Sequence, residues 1–391
     1  MLFQLLDDKI NCVGVYADGR ITYDDLPDDL TQTWRYSPIL KNKDVEYARL
    51  RCGGATLNSV CPPNLKGEWD RVSSKMKAFV KAFQTAKINL HDNCFYDLVP
   101  ESFLLDFCEV KNSITEHVLK TYPKPPDYDF MVELDKMLTE VNLQKLNLDK
   151  TALMPRMHED KVRKFAKSNL SPYILYDVFG SKTGRLTSLK GSFPIFNMNK
   201  EYRSIIKPHN DFFLELDFNA AELRMMLALL GKSQPCEDLH QWNCVNVFDN
   251  KKTREEAKVA LFAWLYNQAA VDHRIDSVYD RKGLVERFWD GSQVHTIYDK
   301  IIPSDRWHAL NYILQSTTAG MVQRQALKLF SFLEDKKSFL SYTIHDNVVI
   351  DMCEEDEKHM EEMIEIFSTT EFGKMLINVS LGVNGGELIS A

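Results

Sequence analysis

Apolar and polar positions change their period several times along this 391-residue chain. Near the N-terminus, "LFQLL" and "CVGVYADGRITY" read as short strands, and Asp18-Gly19 between apolar runs predicts a hairpin turn. The Pro- and Gly-rich "RCGGATLNSVCPPN" follows. From residue 66 the period becomes helical. "GEWDRVSSKMKAFVKAFQTAK" (67–87), "SITEHVLKTY" (113–122) and "DYDFMVELDKMLTEVNL" (127–143) read as helices, and "PKPP" (123–126) separates the last two. "FFLELDFNAAELRMMLALLG" (212–231) alternates as a strand up to Asp217 and then becomes helical. "SYTIHDNVVIDM" (341–352) holds two β-prone runs around His345-Asp346-Asn347, which is hairpin spacing. An earlier His-Asp-Asn at 91–93 has no paired strand and reads as a loop coincidence. No internal repeat or low-complexity tract is visible.

Composition narrows the class. With 44% hydrophobic and 27% charged residues, the chain reads as a globular protein. No apolar run approaches the ~18–20 residues of a membrane span. The opening "MLFQLLDDKINC" lacks the marks of a signal peptide. The eight cysteines form no C-x2-C pair, so they are expected to be reduced thiols in a cytoplasmic protein. The net charge is −8, but residues 150–207 carry 12 Lys/Arg against 4 Asp/Glu, while "EEDEKHMEEMIE" (354–365) holds seven acids. A basic band in an acidic chain suits a polyanion held in one groove; a solvated helix face is the other reading.

Asp217, at the end of a buried strand, is either a chemical carboxylate or, like Asn219, a helix cap. Asp346 supplies a second strand-end acid. Two carboxylates on neighbouring strands can hold two Mg²⁺ ions ~3.5–4 Å apart for in-line phosphoryl transfer. The helix candidate "KKTREEAKVALFAWLYNQAAV" (251–271) repeats Arg254, Lys258, Phe262 and Tyr266 every four residues. Two cations and two aromatics on one face fit the phosphates and base of a nucleoside triphosphate.

In these segments the chain resembles the family A DNA polymerases, most closely their bacteriophage replicative branch. "DFNAAELR" (217–224) is similar to the first palm motif, usually DYSQIELR, and "IHDN" (344–347) to the second, VHDE. R-x3-K-x3-F-x3-Y at 254–266 resembles the nucleotide-binding fingers helix. "TGRLTS" (183–188), "DLH" (238–240) and the N-x3-Q of "HALNYILQSTTAG" (308–320) resemble three further motifs, all in family order. Departures are Asn347 for the motif glutamate, Ala263 and Asn267 for glycines, and Arg306 one residue off register beside Trp307.

The resemblance implies an α+β right-hand fold: an antiparallel palm sheet in 171–231 and 338–391, helical fingers in 232–337, and a thumb-like helical region in 66–170. A small β-containing region of unknown role, 1–65, precedes them. It implies template-directed addition of dNTPs to a primer 3′-OH. Asp217 and Asp346 would hold two Mg²⁺ with the Phe218 backbone carbonyl. Arg254, Lys258 and His240 would bind the dNTP phosphates, with Lys258 also an acid toward pyrophosphate. Phe262, Tyr266 and Glu222 would contact base and sugar. Arg185, Asn311, Gln315 and His345 would touch primer–template DNA. The only D-x-E before residue 150 is Asp44-Val45-Glu46, not preceded by an apolar strand. No proofreading exonuclease is therefore expected in the chain. A processivity factor, a helicase-primase or a separate exonuclease are expected partners, and a membrane is not. The alternatives are a single-subunit RNA polymerase-like enzyme, against which Glu222 argues, and a catalytically weak polymerase-like DNA-binding protein.

Overall fold

A computed structural model describes residues 1–9, 12–90, 92–168, 170–267 and 269–390. His91 of the earlier His-Asp-Asn lies outside the described residues. The chain divides into two compact units, Met1–Glu140 and Val141–Ala391.

In the first unit, Phe3–Lys9, Cys12–Ala17 and Arg20–Tyr23 form a three-stranded antiparallel sheet. The expected hairpin turn is there: Asp18 and Gly19 both take positive φ, 47° and 74°, the backbone that joins twisted strands tightly. The helix Lys66–Thr85 matches its sequence signal. The next helix starts at Glu101, well before the expected 113, because Phe103, Leu104 and Cys108 extend its buried stripe toward Ile114 and Val118. Trp69, Val72 and Phe83 of the first helix share a core with that stripe.

One expectation is overturned here. Cys12 and Cys94 are joined in a disulfide, leaving six free cysteines rather than eight. The partners lie 82 residues apart in sequence, so only the fold brings them together and no local spacing announces it.

The second unit is built on a five-stranded antiparallel sheet. Its order is Phe339–Ile344, Asn347–Met352, Phe212–Phe218, Ile377–Gly382, Ile389–Ser390. The strand Phe212–Phe218 is central, and alternation splits it into two faces. Leu214, Leu216 and Phe218 are buried on one, where Phe218 packs on Phe367 of the helix Met360–Ser368 at 4.5 Å. Phe213, Glu215 and Asp217 lie on the other.

After Asp217 the chain turns sharply. Ala220 is left-handed (φ 52°, ψ 48°) and the helix Ala221–Leu229 follows, buried on nearly every side. Its Arg224 is fully buried. The carbonyls of Asn219, Pro235 and Glu237, each 2.8 Å away, accept from its guanidinium, which satisfies an otherwise costly buried charge. The long helix Arg306–Phe332 packs beside it. No helix among the described residues is long and apolar enough to cross a membrane.

Candidate active site

Asp217 and Asp346 meet at one end of the sheet. Asp217 pairs across the strands with Asn347, the residue after Asp346, and the Phe218 amide lies 3.4 Å from the Asp346 carbonyl. His345 opens the hairpin turn with φ 57°. A left-handed, bulky non-glycine residue is strained by about 1–3 kcal/mol and persists only where its surroundings fix it. Two contacts do so. The Asn347 Oδ1 accepts from the Ile344 amide at 3.1 Å, and the His345 ring packs 5.5 Å from Phe196. Asn347 thus closes the turn. Its Nδ2 also points to Glu215, 3.4 Å away.

Neither Asp217 nor Asn219 caps the helix with its side chain, because the cap position is Ala220. Asn219 instead joins two segments. Its Oδ1 accepts from the Leu239 amide at 3.0 Å, and its Nδ2 donates to Asp238 at 2.9 Å.

Burial, and then the charge of Asp346, push the Asp217 carboxyl up to about 7. Burial also raises Asp346 and Glu215. Three acids facing one another are poorly tolerated as anions, and a cation among them would reverse that. The Asn378 Nδ2 donates to Asp217 at 3.1 Å.

Beside the acids lies a cleft of about 200 Å³ lined by Arg185, Glu222, Phe262, Tyr266, His345 and Asp346, with Ala220 and Thr318 at its walls. Glu222 is its polar centre. One carboxylate oxygen accepts from Arg185 and the other from the Tyr266 hydroxyl. Burial and that hydrogen bond hold the Tyr266 hydroxyl well above its ordinary range, so it stays a donor. Phe262 and Tyr266 stack in parallel, 6.0 Å apart and 7° from coplanar. They belong to the helix Arg254–Tyr266, which starts where it does because Thr253 and Glu256 form a reciprocal cap.

His240 stands 5.8 Å from Phe262. It is buried, and burial pushes its imidazole below the usual range. Arg254 grips Asp238 with two hydrogen bonds of 3.0 and 2.9 Å. Burial alone would raise Asp238, but the bonds from Arg254, Asn219 and Gln241 hold it well below the carboxylate range. Lys258 is half-buried one turn after Arg254. Arg185 reaches the cleft from the turn at Gly184, whose carbonyl accepts from Gln323 of the long helix at 2.8 Å. Asn311 lies next to Tyr266 in an adjoining cleft. Gln315 is one turn further along the same helix, half-buried.

The structure therefore gathers Asp217, Asp346, His345, Arg185, Glu222, Phe262 and Tyr266 around one cleft edge, with His240 against Phe262. Arg254, through Asp238, reaches that edge by way of Asn219. Sequence reasoning missed Asn378 and Glu215. Glu215 was findable, two residues before Asp217 on one strand face; Asn378 was not, 161 residues away.

No protein-family model matches the chain, and no curated protein matches it. Solved structures do, in 131 chains. One is the POL domain of Pol1 from M. smegmatis, solved in complex with DNA primer-template and dNTP. It aligns over 96% of this chain and 93% of that one, with a TM-score of 0.64 and 11% identity. At that identity the likeness is one of fold: this chain has the fold of a DNA polymerase domain. The match extends into the region before residue 150, where no sequence motif reaches.

Proposed function

We propose that the chain is a template-directed DNA polymerase of the family A kind, of the phage replicative type, that adds dNTPs to a primer 3′-OH. The observation that carries this reading is the pair formed by Asp217, near the end of its strand, and Asp346, in the hairpin turn next to the adjacent strand, beside a cleft whose Glu222 is held by Arg185 and Tyr266. The polymerase-domain fold supports it. The sheet segments 171–231 and 338–391 act as palm, 232–337 as fingers and a part of 66–170 as thumb; 1–65 has no assigned role.

The donor set fits Mg²⁺. Among the described residues no three His, Cys, Asp or Glu side chains form a cage. A hard cation that keeps its waters needs only one or two carboxylates plus substrate phosphates, and the raised Asp217 marks a place short of positive charge. Asp217, Asp346 and the Phe218 carbonyl would hold two such ions. The chemistry supplied there is acidification of the primer 3′-OH and neutralisation of the triphosphate.

The protein's own groups do the rest. Lys258 and Arg254 bind the phosphates, Arg254 from the position Asp238 sets, and Lys258 donates a proton to departing pyrophosphate. His240, neutral in its buried setting, serves as a phosphate hydrogen-bond donor. Phe262 stacks on the incoming nucleotide, Tyr266 borders the templating base, and Glu222 lies under the sugar. Arg185, Asn311, Gln315 and His345 face primer–template, where contacts to the backbone and to the minor-groove acceptors common to all base pairs carry no sequence preference.

Primer extension with dNTPs, then with NTPs, tests the reading. Extension with dNTPs alone is expected. Extension with NTPs as efficient would favour an RNA polymerase-like enzyme, and none at all a DNA-binding protein. The same mix without nucleotides should leave a mismatched primer intact, since the reading includes no proofreading.

Binding to primer–template should weaken steeply with salt despite the net −8. A slope equivalent to about 4–8 phosphate contacts is expected. The helix Asp160–Lys167 exposes Lys161, Lys164 and Lys167, while Arg163 is paired with Asp160. Changing all four to glutamine should flatten the slope by about three contacts. An unchanged slope would mean that this helix faces only solvent.

A further inference from the structure

The strands Gln293–His295 and Ile301–Pro303 form an antiparallel hairpin that the proposed mechanism does not use. Its loop lays two side chains against the supports of the cleft. Tyr298 is the first. Its hydroxyl donates to Glu371, in the turn between Thr369–Thr370 and Gly373–Lys374. The Arg324 guanidinium lies over its ring, 3.9 Å from the centroid. Burial, and then the bond to Glu371, hold the hydroxyl well above its ordinary range, so it stays a donor. The chain leading into that turn is fixed to the long helix. The fully buried Gln325 amide donates to the carbonyls of Ile366, Phe367 and Thr369 at 2.6, 3.1 and 2.8 Å.

Gly320 shows what the Tyr298 ring needs. It lies in the interior of the helix Arg306–Phe332, where glycine weakens a helix relative to alanine. A Cβ there would stand 2.6 Å from two atoms of the ring, well inside carbon–carbon contact distance. The ring is therefore seated on bare helix backbone.

Lys300 is the second. A Cβ added at Gly184, whose φ is 79°, would stand 2.8 Å from its Nζ. The Gly184 carbonyl accepts from Gln323, one turn beyond Gly320 on the long helix, at 2.8 Å. The Gly184 amide donates to the Ser181 carbonyl at 3.2 Å. The residue before Arg185 is thus met by both hairpin and helix, and Arg185 in turn holds Glu222.

We infer that the hairpin 293–303 is a brace for the Gly184–Arg185 turn. Tyr298 and Lys300 are positioning residues that set how firmly Arg185 grips Glu222, and so how well the site rejects a ribose. They act through Arg185 rather than on the nucleotide. The part played in sugar selection rests on the polymerase reading; the brace itself does not.

The test is hydrogen exchange of the full chain, read at the amides of residues 182–187, beside single-nucleotide incorporation with dNTPs and NTPs. Tyr298→Ala and Lys300→Ala should each speed exchange in that segment by about tenfold or more, the mark of a local opening. The strands at 212–218 and 347–352 should stay as protected as in the parent. The KM for dNTP should rise about threefold or more with kcat changed less, because binding is loosened while Asp217 and Asp346 stay in place. Ribonucleotide use relative to deoxynucleotide should rise about three- to tenfold. That is less than the loss of Glu222 itself should give, since the Tyr266 bond remains. Tyr298→Phe keeps the ring on Gly320 but loses Glu371, and should fall between parent and Tyr298→Ala. Lys300→Arg should stay near the parent. Gly320→Ala should mimic Tyr298→Ala in the parent chain. Added to Tyr298→Ala it should raise the melting temperature, because the ring is gone and alanine favours the helix.

A lower melting temperature, with exchange at 182–187 and sugar selection both at parent values, would mark ordinary packing and overturn the proposal. So would a change in one of the two without the other in a chain that extends primers. Primer extension by the parent is scored separately. Extension with neither response removes the brace and leaves the polymerase reading standing. The exchange response in a chain that extends no primer keeps the brace and removes the polymerase reading.

Discussion

Asp217→Asn is expected to melt at a higher temperature than the parent chain in metal-free buffer at pH 8, and to extend no primer. Both effects come from one carboxylate. In the folded protein, burial and Asp346 push Asp217 up to about 7 from an ordinary value of 3.8. The folded state therefore holds a proton that the unfolded chain releases between about pH 4 and 7. Across that window stability falls as pH rises, and above it the whole penalty is present. The shift corresponds to an upper bound of about 4 kcal/mol; partial solvent access leaves on the order of 1–3 kcal/mol. Asparagine removes the charge, and its amide oxygen can still accept from Asn378. The melting temperature of the variant should decline less over this window than that of the parent, since Asp346 and Glu215 are raised as well and still titrate.

Mg²⁺ should act the other way. It should raise the melting temperature of the parent more at pH 8 than at pH 6, and do little for Asp217→Asn. The loss of extension should exceed about a thousandfold, the scale of several kcal/mol of charge stabilisation at a metal site. Asp346→Asn should behave alike. A variant that melts lower than the parent and still extends primers would place Asp217 among structural residues only.

Glu222→Ala should raise ribonucleotide incorporation relative to deoxynucleotide by about 5- to 100-fold. Its carboxylate is held by Arg185 on one side and the Tyr266 hydroxyl on the other. A ribose 2′-OH under the sugar would have to break one of these bonds or remain buried without a partner. Either outcome costs about 1–3 kcal/mol. Without the carboxylate that barrier disappears, and deoxynucleotide efficiency falls too because Tyr266 and Arg185 lose their anchor. Tyr266→Phe should shift the ratio in the same direction but less, since the stack with Phe262 survives. Glu222 also sits in the first turn of a helix, where any acid is favoured by the dipole. An unchanged ratio with a small loss of stability would leave it only that role.

The sequence was most readable where chemistry and local structure coincide. Strand, turn and helix at 212–231, the hairpin at 339–352 and the cation–aromatic helix at 254–266 were all visible from period and spacing. Local periods carry no register, however. That Asp217 faces Asn347 and Asn378 follows from strand pairing between distant segments. The disulfide between Cys12 and Cys94 and the network from Asn219 to Asp238 to Arg254 escaped for the same reason. The early start of the helix at Glu101 escaped because the segment between 101 and 112 mixes aromatic, acidic and cysteine positions, which blurs its stripe. A side-chain cap by Asp217 or Asn219 was one of two readings of the helix start at 221, and the left-handed alanine that actually stands there gives no compositional sign.

That alanine and His345 together limit which substitutions the site can accept. Both lie in the left-handed region, at φ 52° and 57°, and both line the cleft beside Asp346. A β-branched residue fits that backbone poorly, whatever its polarity. At 220 and 345 the allowed alphabet is therefore set by torsion angles before function has any say. Glycine would relieve the backbone at either position, and at 345 it would also delete the ring that packs on Phe196. Histidine is among the non-glycine residues that enter this region most readily, so position 345 can combine a left-handed backbone with a ring that packs on Phe196 and lines the cleft, where a β-branched residue could not.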